Sequence, residues 1–313
     1  MTVARVGGNR SNKLVVAVAS RALFDLEKEN KIFNSRGLEP YREYQRSHEK
    51  VVLKPGAAFP LVSKLLRLNR VLKGDFIEVV VVSRNDADTS VRIFNSIKHH
   101  ELPISRGAFT NGAPNHTYLE AFSSSLYLSA HLEDVRRVLD AGFAAAHVLG
   151  SPSRPTSSDD NELRIGFDFD GVLASDESER IYQNGGLTAF LSHEVARRSR
   201  GLPPGPLFEF LRQLAILRAK AESRGEYPIR TAIITARNAP AHERVISTLR
   251  ADGIVVDETF FLGGLKKAPF VTAFRPDIFF EDQLRHLQHL KGVATAYVPY
   301  GVMGTQADTH AHK

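Results

Sequence analysis

Short apolar runs alternate with longer amphipathic stretches along most of the chain. The apolar runs have the length of strands and lie at 14–20, 76–83, 126–129, 163–170, 230–235 and 277–282. Between them, apolar residues recur every three or four positions, as in amphipathic helices, at 59–68, 89–97, 206–217 and 241–249. Strands that alternate with helices predict an α/β fold, in which helices flank a central parallel sheet.

A polar segment divides the chain into two halves of similar length. Residues 150–162 read GSPSRPTSSDDNE, and this abundance of Ser, Pro and Asp is typical of a linker. We therefore expect one α/β domain over 1–149 and a second over 163–302. The polar end of the chain, 303–313, is expected to be a disordered tail.

The two halves resemble each other in register as well as in the order of their elements. Residues 83–132 align without a gap with the residues 152 positions further on. Identical pairs in this alignment include Arg92 and Arg244, Phe109 and Phe261, Gly112 and Gly264, and Phe122 and Phe274. The match favours a duplicated fold, and the general periodicity of α/β sequences is the alternative.

The acids and lysines that could form a reactive site occur only in the second copy of this alignment. Asp168 and Asp170 fall opposite Ala19 and Arg21 at a spacing of 149. At a spacing of 152, the pairs Lys266–Lys267 and Glu281–Asp282 fall opposite Pro114–Asn115 and Ser129–Ala130. If the repeat is real, the first half is an acid-poor copy with a structural or regulatory role.

Four polar features of the second half follow predicted strands or precede a predicted helix. They are Asp168 and Asp170 in DFDGV, Thr235 in IITARN, Lys266 and Lys267 in GGLKKAP, and Glu281 and Asp282 in DIFFEDQ. Ligands bind beyond the carboxyl ends of parallel strands, so we expect these features to meet in one site. Clustered carboxylates repel one another unless they bind a hard cation such as Mg²⁺. A hydroxyl and an ammonium group would hold phosphate oxygens, and an aspartate could attack phosphorus.

Each feature also has a plain structural alternative. The sequence DGV is common in solvated turns, and Thr235 could simply cap a helix. Lysines are ordinarily surface charges, and Glu281 and Asp282 could stabilise the N-terminus of a following helix. The ordered combination of all four features favours the site.

The ordered set resembles the four motifs of the haloacid-dehalogenase-type phosphatases. Three longer stretches, VAVASRALFDLE, GGLKKAPFVTAFRPDIFFEDQ and VPYGV, are similar to the class I cytosolic 5'-nucleotidases. The closer resemblance extends from about residue 13 to residue 302. It implies a Rossmannoid parallel sheet of the haloacid-dehalogenase type, and a cap-type insertion over 174–230 that selects substrates.

The resemblance also implies a role for each motif residue. Asp168 would be the nucleophile and a metal ligand, and Asp170 the general acid and base, with its backbone carbonyl facing Mg²⁺. Thr235 would hydrogen-bond the transferring phosphoryl group. Lys267 would neutralise that group, in preference to Lys266, because the family motif places its lysine just before a small residue and Pro. Glu281 and Asp282 would hold the metal.

The motifs depart from the family pattern in two places. The doubled lysine leaves the assignment open by one residue, so Lys266 stays a candidate substrate contact. Glu281 stands where related sequences often carry an aspartate, which makes Asp282 the safer direct ligand. Arg237 and Asn238 closely follow Thr235 and are further candidate substrate contacts.

The composition argues against several kinds of binding site and partner. The chain has no cysteine, which excludes disulfides and thiolate metal sites. Its net charge of +6 is not concentrated in a basic block, so we expect no nucleic acid polymer as a partner. The run LVVAVA is too short for a signal-peptide core, and no run reaches the roughly 18 apolar residues of a spanning helix. We expect a cytoplasmic protein with no membrane partner.

The residues and the resemblance lead to one expected activity. The chain is expected to be a Mg²⁺-dependent 5'-nucleotidase that acts on nucleoside monophosphates, with AMP as the first substrate to consider. A nucleotide-sensing module with weak turnover and a nucleoside phosphotransferase are the alternatives. The resemblance further suggests a nucleotide effector and a homo-oligomer.

Overall fold

A computed structural model of the chain describes residues 13–150 and 162–302. Most of the expected linker and the expected C-terminal tail, 151–161 and 303–313, lie outside the described residues. The described strands are β1 Leu14–Val18, β2 Ile77–Ser83, β3 Gly107–Phe109, β4 Leu126–Ser129, β5 Ala145–Leu149, β6 Leu163–Phe167, β7 Ile229–Thr235, β8 Glu258–Phe261, β9 Ile278–Glu281 and β10 Thr295–Tyr297.

The helices of the first half are α1 Ser20–Leu23, α2 Glu27–Arg36, α3 Leu38–Ser47, α4 Phe59–Val71, α5 Ser90–His99, α6 His116–Leu119 and α7 Leu132–Asp140. Those of the second half are α8 Glu177–Ala196, α9 Phe208–Glu222, α10 His242–Ala251, α11 Ala268–Phe274 and α12 Leu284–Leu287. Among the described helices, none combines the length and apolar character needed to cross a membrane.

All of these strands belong to one sheet, in the order β3-β2-β1-β4-β5-β10-β9-β6-β7-β8. Neighbouring strands are parallel within each half, as the sequence predicted. The exception is β5 with β10, an antiparallel pair that joins the halves. Read outward from this junction, the order is 5-4-1-2-3 in the first half and 10-9-6-7-8 in the second. Each half therefore has the same internal topology.

The core lies where the central strands meet the helices on both faces of the sheet. In the second half the rings of Phe167 and Phe280 stack with centroids 5.4 Å apart, and Phe210 of α9 packs edge-on against both. Each fully buried side chain of this size contributes about 1.5–3 kcal/mol to folding. These strands are apolar on both faces, which is why they read as continuous apolar runs.

The two halves also interlock through their helices. Lys64 of α4, in the first half, is buried and forms an ion pair of 2.8 Å with the partly buried Asp277 next to β9. Ser125, just before β4, donates a 2.7 Å hydrogen bond to Gln213 of α9. The expected domains thus share one sheet and contribute to each other's packing.

A buried arginine holds a pair of helical segments against each half. Arg92 of α5 donates hydrogen bonds to Glu29 of α2 and Gln45 of α3, at 2.7 and 3.0 Å. Arg244 of α10 donates to Glu177 and Glu194, near the two ends of α8, both at 2.9 Å. We call α2 with α3 the first helix pair, and the two segments of α8 the second helix pair.

The helix pairs turn at equivalent glycines. Gly37 separates α2 from α3, and Gly186 breaks α8, with positive φ angles of 83° and 68°. The two positions are 149 residues apart, as are Gln45 and Glu194. Positive φ is accessible to glycine at little cost, which explains the residue type at both turns. The recurrence agrees with the duplication hypothesis, which stays a prediction.

Candidate active site

The candidate residues come together beyond the carboxyl ends of three neighbouring strands. Asp168 follows β6 directly, Thr235 is the last residue of β7, and Glu281 is the last residue of β9. Lys267 immediately precedes α11. The strand order β9-β6-β7 places these ends side by side, because parallel strands that are neighbours end at the same edge.

Lys267 lies between two buried carboxylates. Its Nζ is 2.8 Å from Oδ2 of Asp168 and 2.7 Å from Oε2 of Glu281. Burial opposes the charged form of Lys267, but Asp168 and then Glu281 outweigh burial and raise the pKa of Lys267. Lys266, one residue earlier, is exposed. Of the two lysines that the sequence left open, Lys267 is the one that contacts the acids.

Three acids meet closely enough to hold a cation. Carboxylate oxygens of Asp168, Glu281 and Asp282 all lie within 4.8 Å of one another, and all three residues are buried. Oδ1 of Asp282 is buried without a hydrogen-bond partner. An unpartnered carboxylate oxygen beside two other acids is costly unless a cation binds it. The donor set is all oxygen, which fits Mg²⁺.

The pKa values of the acids reflect this crowding. Burial and then the charge of Glu281 raise the pKa of Asp168 well above its ordinary value. Burial, followed by the charges of Glu281 and Asp168, does the same for the pKa of Asp282. At Glu281 burial is outweighed by Lys267, and the pKa falls to about 2. The single charge of Lys267 therefore does not neutralise all three acids.

A tight turn brings the first motif against Asp282. Gly171 has a φ of 73°, and a Cβ at this position would lie only 2.4 Å from Oδ2 of Asp282. Glycine is therefore required here both by backbone conformation and by space. Oδ1 of Asp168 accepts a 2.7 Å hydrogen bond from the backbone N–H of Phe169, which fixes the carboxylate at the start of this turn.

Asp170 is held by an arginine rather than by the acid cluster. Arg237 donates to both of its carboxylate oxygens, with N···O distances of 2.8 and 2.7 Å. The same guanidinium pairs with buried Glu194 of α8, and it lies 5.3 and 5.5 Å from the ring centres of Phe169 and Phe190. The sequence suggested Arg237 as a substrate contact, whereas the structure places its side chain between Asp170 and the second helix pair.

The remaining candidates line the same strand ends. Thr235 is buried, and its Oγ1 accepts a 3.2 Å hydrogen bond from the backbone N–H of Arg237. Asn238 is exposed, at the start of the loop that leads to α10. Sequence reasoning did not assign a role to Glu194, because its partners Arg237 and Arg244 are 43 and 50 residues away in the chain.

The parallel sheet and the acids at the ends of β6 and β9 define an α/β protein of the haloacid-dehalogenase type. The family model for 5'-nucleotidases matches residues 7–305, so the chain belongs to the 5'-nucleotidase family, in its class I cytosolic group. The chain is 37% identical over 287 residues to human cytosolic 5'-nucleotidase 1B. This match covers 88% of the chain and 47% of the relative, so the chain spans about half the length of the relative. No solved structure matches the chain. The family resemblance seen in the motifs is thereby confirmed.

Proposed function

We propose that this chain is a Mg²⁺-dependent 5'-nucleotidase that hydrolyses nucleoside 5'-monophosphates, AMP among them, to nucleoside and phosphate. The observation that carries the proposal is the arrangement of Lys267, Asp168 and Asp282. A buried nucleophilic carboxylate lies beside a buried ammonium group, next to an acid whose oxygen lacks a partner. Family membership supports the same reaction.

In the proposed first step, Asp168 attacks the phosphorus of the substrate. A bond forms between a carboxylate oxygen of Asp168 and phosphorus, and the bond from phosphorus to the 5'-oxygen breaks. Asp170 gives a proton to the departing 5'-oxygen, and the nucleoside leaves. Splitting the displacement into two steps through an aspartyl-phosphate lowers the barrier of each.

In the second step, water releases the phosphate. Asp170, now ionised, takes a proton from the water, whose oxygen bonds to phosphorus as the bond to Asp168 breaks. Lys267 and the hydroxyl of Thr235 bind the phosphoryl oxygens throughout, because charge neutralisation and positioning dominate phosphoryl transfer. Asp168, Glu281 and Asp282 would hold Mg²⁺, with the backbone carbonyl of Asp170. When bound, the ion supplies positive charge to the phosphoryl oxygens.

Arg237 acts in this scheme by positioning Asp170. Its two hydrogen bonds fix the carboxylate, and its pair with Glu194 ties that carboxylate to the second helix pair. Proton donation by Asp170 requires this bidentate pair to open, so that Asp170 can take up a proton from solvent before the 5'-oxygen departs. Lys266 and Asn238 are exposed and remain candidates for substrate contact.

The activity is tested by measuring phosphate release from ribo- and deoxynucleoside monophosphates. The expected result is release that requires Mg²⁺, stops in EDTA and is fastest for one or two nucleotides. Binding of nucleotides without release of phosphate would overturn the enzyme and favour a sensing module. Transfer to an added nucleoside, in place of free phosphate, would favour a phosphotransferase.

Metal binding is expected to stabilise the fold. At about a hundredfold excess of Mg²⁺ over Kd, the free energy of unfolding should rise by about 2.7 kcal/mol, read as a higher melting temperature. Asp282→Asn should melt higher than the wild type in EDTA, because it removes a buried charge that Glu281 and Asp168 repel. The Asp282 variant should also lose most of the increase in melting temperature that Mg²⁺ causes.

The matched control for this measurement is Asp252→Asn, at an exposed acid after α10. It should melt like the wild type with and without Mg²⁺. Equal responses to Mg²⁺ in the Asp282 and Asp252 variants would mean that the metal binds elsewhere.

A cytosolic location is proposed from the family, and the name of the human relative carries the same word. The nucleotide effector and the homo-oligomer stay predictions that rest on the resemblance.

A further inference from the structure

The first half contains a cavity at the position that the active site occupies in the second half. It has a volume of about 470 Å³ and lies beyond the carboxyl ends of β1, β2 and β4, beneath the first helix pair. Ala19, Ser83 and Ser129 at these strand ends line it. This volume is within the range of about 300–1,000 Å³ that is usual for small-molecule sites.

Neutral polar residues replace Thr235, Arg237, Lys267 and Glu281 on the floor of this cavity, whereas Ala19 and Arg21 fall opposite Asp168 and Asp170. At a spacing of 152, Ser83 corresponds to Thr235, Asn85 to Arg237, Asn115 to Lys267 and Ser129 to Glu281. Ser20 and Ser83 share a 2.8 Å hydrogen bond, and the amide nitrogen of Asn85 donates to the Tyr41 hydroxyl at 2.9 Å. These hydroxyl and amide groups both donate and accept hydrogen bonds.

The floor is not built to hold a metal ion. Within the described residues, the acid cluster that could bind a cation is the one at Asp168, Glu281 and Asp282, in the other half. A ligand in the first cavity therefore has to bind without the cation that the proposed reaction requires.

The wall of the cavity is apolar and partly aromatic. Leu26, Phe33, Leu38 and Tyr41 of the first helix pair and the preceding turn line it. The rings of Phe33 and Tyr41 meet edge to face, with centroids 5.8 Å apart. Phe33 and Leu38 are 46% and 41% exposed, although they border a cavity. A ligand with a planar apolar face would cover this surface.

The charges around the cavity are already paired. Arg21 pairs with Glu27 at 2.6 Å, and Arg84 pairs with Asp134 at 3.3 Å. The lining acids Glu29 and Asp86 pair with Arg92 and Arg42. Both lining arginines, Arg21 and Arg84, therefore have an acidic partner. A phosphate placed here would meet no uncompensated cation, so the lining favours an uncharged ligand over an anionic one.

We propose that this cavity is a metal-independent binding site for an uncharged nucleoside. A nucleoside combines a planar heterocycle, which suits the wall of Phe33 and Leu38, with hydroxyl groups, which suit the serines and asparagines of the floor. The choice of a nucleoside rests on the proposed function, since the reaction would release one. The inference that the ligand is uncharged and binds without a metal rests on the residues that line the cavity.

The test is isothermal titration calorimetry of the full chain with adenosine, inosine and AMP, in EDTA. The protein carries Asp168→Asn, so that turnover does not interfere. Adenosine or inosine should bind, and the part of the binding that depends on Phe33 should be at least tenfold weaker for AMP. Phe33→Ser should weaken nucleoside binding at least tenfold. Leu38→Asp, at a second exposed position of the wall, should also weaken nucleoside binding.

The matched control is Tyr182→Ser. Tyr182 lies 149 residues after Phe33 and makes the same edge-to-face contact, with Phe190, in the second helix pair. Nucleoside binding in EDTA should be unchanged in this variant. Absence of nucleoside binding, equal losses in the Phe33 and Tyr182 variants, or AMP binding that Phe33→Ser weakens more than it weakens nucleoside binding would each overturn the proposal. Phosphate release by the wild type with Mg²⁺ is measured separately, so failure of the cavity and failure of the enzyme are distinguishable.

Discussion

Asp168→Asn is expected to reduce phosphate release from nucleoside monophosphates at least about a thousandfold, the order of loss seen when a catalytic nucleophile is removed. The amide keeps the size of the side chain and its hydrogen bond from the backbone of Phe169, but it cannot form the aspartyl-phosphate. The readout is kcat for phosphate release at saturating Mg²⁺, for wild type and variant side by side.

The fold should survive this substitution. The asparagine removes a carboxylate whose pKa is raised by burial and then by the charge of Glu281, so the variant should melt no lower than the wild type in EDTA. A variant that is folded and keeps most of its activity would show that Asp168 is not the nucleophile. A wild type that accumulates a lasting aspartyl-phosphate would instead support the sensing module.

Lys267→Ala is expected to lower kcat by about 10²–10³, as when one preorganised group that stabilises transition-state charge is removed. Lys266→Ala should lower kcat much less. The two lysines are adjacent, so the pair of variants compares the same change at a buried and an exposed position. The measurement is kcat and KM for AMP, with Mg²⁺ at saturation.

Stability has to be followed in the same experiment. Removing Lys267 leaves Asp168 and Glu281 without their shared ammonium partner, so the Lys267 variant should be less stable in EDTA and partly recover with Mg²⁺. A larger loss of kcat in the Lys266 variant than in the Lys267 variant would reverse the assignment of the third motif.

Periodicity and motif order predict the central part of this fold well. The buried strands β1, β2, β4, β6 and β9 lie within the predicted apolar runs, and β7 begins one residue before its run, at Ile229. The motif residues at their ends converge because parallel strands end together. The strands β3, β5, β8 and β10 were not predicted. The edge strands β3 and β8 are only partly buried, His147 interrupts the apolar residues of β5, and β10 has only three residues, so none of the four forms a clear apolar run.

The features that the sequence did not predict depend on contacts between distant segments. The bidentate pair of Arg237 with Asp170 spans 67 residues, and its link to Glu194 requires the second helix pair to fold back over the sheet. The cavity in the first half was likewise hidden, because serines and asparagines at strand ends carry no motif. Their significance appears only when the strands align them with the proposed catalytic residues of the second half.

The antiparallel junction of β5 with β10 determines where molecules enter. Because all strands of one half run opposite to those of the other, the carboxyl ends of β1, β2 and β4 open at one edge of the sheet and those of β6, β7 and β9 at the opposite edge. Two small molecules can thus approach from opposite sides without colliding. A ligand in the first-half cavity would therefore not block the proposed active site, and we expect any effect of that ligand on phosphate release to be non-competitive with the substrate.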